Sequence, residues 1–183
     1  MRVIAGTARG KNLVTPQGRH TRPTADRIKE TLFNIIQADV PESRFLDLFS
    51  GSGGIAIEAL SRGAKEAVFV DNNRESILCI KENIKKTGFS DVVQVMQAEA
   101  MQAIRRLSNM ARVFDIIFMD PPYNYGIEKD VIELLLKSPV VQEDTLIIAE
   151  TSIETDISYM EGFSCKLEKI KEYKTNKHIF LRI

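Results

Sequence analysis

Between Arg44 and Ala149, short β-prone apolar runs alternate with amphipathic helical stretches, and this limits the fold more sharply than any other feature. Arg44–Phe49, Ala67–Val70, Val92–Met96, Phe114–Met119 and Thr145–Ala149 read as strands. Gly53–Arg62, Arg74–Thr87, Ala100–Leu107 and Glu128–Lys137 read as the helices between them, with Ile57 and Leu60, or Val131, Leu134 and Leu135, facing inward. Gly88 supplies a stop for the second of these helices. Strands separated by helices form crossover units, so the prediction is a parallel sheet covered on both faces. The chain end breaks the pattern. Cys165–Ile170 and His178–Ile183 flank Glu172–Asn176 with no room for a crossover helix, which predicts an antiparallel hairpin at the sheet edge. At the start, Arg2–Gly6 and Asn12–Val14 flank Thr7–Lys11, which predicts a β-hairpin. Thr24 is the expected cap of a helix carrying Ile28, Leu32, Ile35 and Ile36 on one stripe. The predicted class is therefore α/β: a mostly parallel seven-stranded sheet, helices on both faces, a C-terminal antiparallel hairpin and an N-terminal β-hairpin extension. The extension is assigned to residues 1–23 and the main domain to residues 24–183.

Composition removes several classes of function. No apolar run is long enough to cross a bilayer, and Arg2, Arg9 and Lys11 interrupt what would be the core of a signal peptide, so cytoplasm is the expected compartment. Cys79 and Cys165 lie far apart, and His20 and His178 form no ligand cluster, so reduced thiols and no metal are expected. Charge is balanced overall at 25 basic and 25 acidic side chains, but residues 1–37 hold seven basic and only two acidic ones. A basic arm on an acidic body suits phosphate binding.

The chemistry concentrates at Asp120-Pro121-Pro122-Tyr123, directly after the Phe114–Met119 run. Proline supplies no backbone N–H and holds the preceding residue extended, so the strand ends in a stiff corner. The corner offers a carboxylate, a carbonyl and an aromatic face together. That set suits a planar base with an exocyclic amino group: Asp120 and the Pro121 carbonyl accept its two N–H bonds, and Tyr123 stacks on the ring.

A second motif lies at Asp47–Gly54, where a strand runs into a glycine-rich turn and then a helix. Gly51, Gly53 and Ala56 satisfy the dinucleotide-binding spacing, and Asp71, twenty residues after Gly51, stands where an acid grips ribose hydroxyls. A nicotinamide dehydrogenase would share those features. Asp47 favours another ligand, because an acid four residues before Gly51 repels a pyrophosphate but attracts a cation. S-adenosylmethionine brings both an ammonium and a sulfonium. Glu99, after the third strand, is then placed to reach the adenine amino group.

Together, D-x-F-x-G-S-G at Asp47–Gly53, the acid at Asp71 and the Asp-Pro-Pro-Tyr corner resemble the Rossmann-like class I S-adenosylmethionine-dependent methyltransferases. The start of the chain narrows the resemblance. Arg2–Gly6, Arg9-Gly10-Lys11, Arg22-Pro23-Thr24-Ala25-Asp26-Arg27 and Glu30-Thr31-Leu32-Phe33-Asn34 are similar to the RsmD family, bacterial enzymes that methylate guanine N2 in 16S ribosomal RNA. The resemblance spans essentially the whole chain. It implies cofactor contacts at Asp47, Phe49, Gly51, Ser52, Gly53, Asp71, Asn72, Glu99, Ala100 and Asp120, and catalytic roles for Asp120, Pro121, Pro122 and Tyr123. It implies RNA contacts at Arg2, Arg9, Lys11, Arg19, Arg22 and Arg27. Glu99-Ala100 stands where Asp-Ala or Asn-Ala is more usual, so the adenine contact is expected to be longer or water-mediated. The implied partner is 16S ribosomal RNA, naked or within a partly assembled small subunit, met by a monomer. Adenine N6 or cytosine N4 in DNA, or glutamine in a protein, are the alternative acceptors for this corner. A non-catalytic RNA-binding assembly factor is the alternative of a different class.

Overall fold

The computed structural model describes residues 1–16, 23–123 and 126–183. These hold five α-helices, α1 (Pro23–Ile35), α2 (Gly54–Ser61), α3 (Arg74–Thr87), α4 (Ala100–Asn109) and α5 (Ile127–Leu136). The seven strands are β1 (Arg44–Leu48), β2 (Glu66–Asp71), β3 (Val93–Gln97), β4 (Ile116–Met119), β5 (Leu146–Ser152), β6 (Lys166–Glu172) and β7 (Asn176–Arg182). They form one sheet in the order β3-β2-β1-β4-β5-β7-β6. The first five pair in parallel, and β7 runs antiparallel to both β5 and β6. Strand order reverses between β1 and β4, which opens a crevice at their carboxyl ends.

Alternation along each strand builds a core on each face. Ile116 and Phe118 of β4 join Phe45, Phe69, Leu32 and Phe33 on the side of α1, α2 and α3. Ile117 and Met119 join Leu46, Val70, Ile104 and Leu135 on the side of α4 and α5. Each fully buried large apolar side chain contributes about 1.5–3 kcal/mol, so both faces of the crevice rest on a rigid frame.

Helix ends follow local chemistry. The Asn73 side chain accepts the Glu75 and Ser76 N–H groups at 2.7 and 3.3 Å, and Gly88 takes φ 88° to close α3. Helix α1 starts at Pro23, so Thr24 lies in its first turn rather than at the cap. Proline suits that first position because its missing N–H would have no helical partner there.

Most strand ends shift by one to three residues from the sequence prediction, and two of the shifts have a plain physical reason. Strand β1 stops at Leu48 because Phe49 turns to φ 66°. Strand β5 continues three residues past Ala149 through polar Glu150, Thr151 and Ser152, because β7 pairs with it throughout.

The N-terminal hairpin is short, with one bridge between Arg2 and Asn12 and backbone bonds from Val3 N–H to Lys11 O (3.0 Å) and from Gly10 N–H to Val3 O (2.9 Å). It docks on α2. Ile4 and Ala5 donate to the Glu58 carboxylate at 2.8 and 3.0 Å, and Thr7 N–H donates to Ser61 O at 2.8 Å. Val3, Ala8 and Leu13 are buried in the same core as Leu32 and Phe33. Cys79 and Cys165 are both free thiols of intermediate exposure. Among the described residues no helix is long and apolar enough to cross a membrane.

Candidate active site

The glycine turn after β1 is held by a side chain of its own, Ser50, and by one from β2, Asp71. Gly51 and Gly53 take φ 55° and 78°, and a Cβ on Gly53 would sit 3.0 Å from Phe69 Cε1. Ser50 Oγ donates to Asp47 O at 2.7 Å and accepts Val70 N–H at 3.0 Å. Asp71, at the end of β2, accepts Gly51 N–H at 2.8 Å through one oxygen and Asn73 N–H at 2.8 Å through the other. The predicted ribose acid thus fastens the glycine turn, and each oxygen keeps a second lone pair for a ligand hydroxyl. Phe49 is a further anchor: a non-glycine residue held at positive φ at a crevice wall is a locally strained position of the kind found at ligand clamps.

Two adjoining cavities open along the carboxyl ends of the strands. The larger, of about 640 Å³, is lined by Asp71, Asn72, Glu99, Ala100 and the Asp120–Tyr123 corner. The smaller, of about 260 Å³, is lined by Asp47, Gly51, Ser52, Phe118, Glu150 and His178. Phe49 and Asp120 belong to the walls of both, so Asp120 faces the larger cavity with Asp71 and the smaller with Asp47. Gly53 caps α2 behind the turn. Asn72 Nδ2 donates to Glu99 at 2.8 Å, tying the tips of β2 and α4 together. The Glu99 side chain makes no capping bond to α4, so its carboxylate serves the cavity wall instead.

Asp47 is fully buried and accepts one N–H, from Ala56, at 3.3 Å. Burial above all, with the Asp120 and Asp71 charges beside it, pushes its carboxyl well above the usual carboxylate range. Three acids converging on a glycine turn form a pocket of negative potential that fits a cationic ligand. The residues present therefore suit the ammonium and sulfonium groups of S-adenosylmethionine.

At the corner, Pro121 is buried while Asp120, Pro122 and Tyr123 are exposed. Tyr123 Oη donates to Glu150 at 2.8 Å. Burial, then the Glu150 and Asp120 charges, hold this phenol in its protonated form. Glu150 also accepts from Asn176 Nδ2 at 2.6 Å and lies 2.9 Å from His178 Nε2. Burial opposes ionisation of Glu150, but the His178, Tyr123 and Asn176 contacts outweigh it and hold the carboxyl below its usual range. The sequence motifs single out neither Glu150 nor His178. The β5–β7 register that makes them opposite partners is not visible in either strand alone.

The predicted RNA contacts divide. Arg2, Arg9 and Arg27 surround a third cavity of about 410 Å³ together with Asp26 and Glu30. Arg2 lies 3.6 Å from Asp26. Lys11 donates to the Lys86 and Thr87 carbonyls at 3.0 and 3.3 Å, so its ammonium covers the C-terminus of α3. Arg19 and Arg22 lie outside the described residues.

Comparison with known proteins agrees with this fold. Residues 1–182 match the family described as conserved hypothetical protein 95. YlbH of Bacillus subtilis (strain 168) is 38% identical over 162 residues, covering 88% of each chain. A Haemophilus influenzae protein named ribosomal RNA small subunit methyltransferase D is 32% identical over 170 residues, covering 92% of this chain and 88% of its own. The structure of a hypothetical protein from Thermus thermophilus superposes with a TM-score of 0.84 at 27% identity, covering 100% of this chain and 99% of the other. By sequence and by fold, the chain belongs to the conserved hypothetical protein 95 family, the RsmD family that its motifs resemble.

Proposed function

We propose that this protein transfers a methyl group from S-adenosylmethionine to the exocyclic N2 of a guanine in 16S ribosomal RNA, acting as a monomer on naked RNA or a partly assembled small subunit. The observation that carries this reading is the place of Asp120, on the wall shared by the two cavities at the carboxyl end of β4. Family membership and the rRNA methyltransferase name of the Haemophilus relative support the substrate class.

S-adenosylmethionine supplies an electrophilic methyl group on a sulfonium. The acidic triad of Asp47, Asp71 and Asp120 attracts that charge, and Glu99 with Asn72 forms the adenine end of the cleft. Asp71 shares its carboxylate between the glycine turn and ribose hydroxyls. Asp120 and the Pro121 carbonyl accept the two amino N–H bonds of the base. That draws the nitrogen toward a pyramidal form with its lone pair aimed outward, so no full anion is needed. Tyr123 stacks on the base, its hydroxyl fixed to Glu150. The N–C bond forms in line as the sulfonium C–S bond breaks, and the surplus amino proton passes to Asp120 or to water; positioning and electrostatics supply the acceleration, with no covalent enzyme intermediate. A paired base cannot reach this corner, so the target is unpaired or flipped out. Arg2, Arg9 and Arg27 hold phosphates at the N-terminal face, and Lys11, Arg19 and Arg22 are the further RNA contacts that the family resemblance implies.

Incubation with labelled S-adenosylmethionine and, separately, ribosomal RNA, duplex DNA and a protein extract tests the substrate class. Label in ribosomal RNA alone is expected. Label in DNA or protein, or tight RNA binding with no label, would replace this reading with one of its rivals.

A further inference from the structure

A second basic groove lies beside the acceptor corner, and of its cations only Arg27 belongs to a sequence motif. It is a cavity of about 350 Å³ between α1 and the turn of the β6–β7 hairpin, lined by Arg27, Thr31, Lys171, Tyr173, Lys174 and Asn176, with no acid on its wall among the described residues. Three cations therefore converge there without a carboxylate on the same wall.

Two connections make the groove more than a solvated lysine surface. Arg27 lines this groove and also the cavity of Arg2 and Arg9, where Asp26 and Glu30 offset part of the charge, so cationic side chains run across α1 from the N-terminal hairpin to the C-terminal one. The groove also reaches the catalytic corner through a short chain of side chains. Asn176 on its wall donates to Glu150, and Glu150 holds the Tyr123 hydroxyl. Tyr173 is fixed as well, with its ring edge-on to His178 at 5.1 Å and its hydroxyl 3.3 Å from His178 Nδ1. The Lys171 ammonium lies 6.0 Å from the Tyr173 ring.

We propose that this groove binds single-stranded RNA next to the target base, with Lys171, Lys174 and Arg27 on its phosphates and Tyr173 as a half-exposed stacking face. A basic track with an aromatic platform is the combination that single-stranded RNA requires. The strand enters along the N-terminal cavity, crosses α1 at Arg27, and leaves over the C-terminal hairpin, with the target base dropping toward Tyr123 between them. This inference rests on the RNA-methylating reading above.

The test compares binding of small-subunit ribosomal RNA and of a short single-stranded oligoribonucleotide by wild type and by Lys171→Glu/Lys174→Glu. Fluorescence anisotropy over a salt series reports RNA affinity, and calorimetry with S-adenosylmethionine reports an intact cleft. The double variant should bind RNA at least about tenfold more weakly, with a salt slope lower by about 1.4, at about 0.7 per lost phosphate contact on a single strand. Cofactor affinity should be unchanged, and Lys171→Arg/Lys174→Arg should restore RNA binding. Lys137→Ala, at the end of α5 and not on the groove wall, should leave it unaltered. Wild-type RNA affinity and slope in the glutamate variant would overturn the groove while leaving the enzymatic reading in place. Failure of wild type to bind either RNA would overturn both.

Discussion

Glu150 of β5 and His178 of β7 stand opposite each other in the antiparallel ladder, with His178 Nε2 2.9 Å from a Glu150 carboxylate oxygen. The other oxygen takes the Tyr123 hydroxyl at 2.8 Å and the Asn176 amide at 2.6 Å. The aromatic ring of the acceptor corner is thereby tied to the sheet rather than only to its own loop.

Glu150→Ala should release Tyr123 and leave the Asn176 and His178 donors without a carboxylate. The stability loss should be about 2–3 kcal/mol, typical of removing one partner from buried charge-assisted hydrogen bonds. Methyl transfer should fall at least about tenfold while cofactor affinity holds, because Glu150 lies on the acceptor side. Chemical denaturation, calorimetry and single-turnover rates would check the three effects. The pH sign also follows. The folded-state pKa of Glu150 is lowered, so its contribution is present above the unfolded value and is lost as pH falls through the folded one.

Asp47 carries the opposite sign. Its folded-state pKa is raised by burial, so the folded protein binds that proton more tightly than the unfolded chain. The contribution to stability is most favourable below the unfolded value near about 4, and is lost as pH rises through the folded one. Asp47→Asn, neutral at every pH, should make the cofactor-free protein more stable than wild type at neutral pH, and this gain should vanish in acid. The same change should weaken S-adenosylmethionine binding at least about tenfold. Thermal melts across pH, alongside calorimetry, give both readouts; reduced stability at neutral pH would refute the assignment.

The hairpin is held to α2 by Ser61 and by one buried carboxylate. Glu58 accepts two backbone N–H groups and pairs with Lys29 at 3.2 Å and Arg62 at 2.8 Å. Lys29 also donates to Arg2 O at 2.6 Å. Glu58→Ala should cost about 3–5 kcal/mol, since it strands a buried ammonium. Gly6→Ala should undock the hairpin by another route, because at φ 80° its Cβ would collide with the Ser61 carbonyl. Hydrogen exchange over residues 3–13 should rise in both variants.

Arg9 is exposed and belongs to the N-terminal cation cavity, whereas Lys11 caps α3. Arg9→Glu should weaken RNA binding about tenfold and flatten its salt dependence without lowering the melting temperature. Lys11→Ala should lower RNA affinity less and reduce stability by about 0.5–1 kcal/mol through the lost helix-end contact. Paired anisotropy and melting experiments separate the two.

The layered α/β fold was legible because strand and helix periods differ, and each buried face writes its own spacing into the chain. The glycine turn, Asp71 and the acceptor corner were legible because each lies within a short contiguous motif. Glu150 and His178 were not. They are 28 residues apart, sit on strands with β6 between them in the chain, and meet only through the β5–β7 register. Glu150 falls just past the apolar run of its strand, because periodicity registers apolar side chains, not a polar residue whose partner lies across the ladder. Phe49 was recognisable as part of a motif, but nothing in its side chain announces a left-handed backbone.

The most direct test of the central claim is nucleoside mass spectrometry of ribosomal RNA treated with S-adenosylmethionine and either wild type or Asp120→Ala. Wild type should produce N2-methylguanosine at one position, and the variant should produce none while still binding cofactor, with only the modest loss of affinity expected from removing one of three converging acids. Methylation of adenine or cytosine by wild type, or undiminished N2-methylguanosine from the variant, would contradict the account.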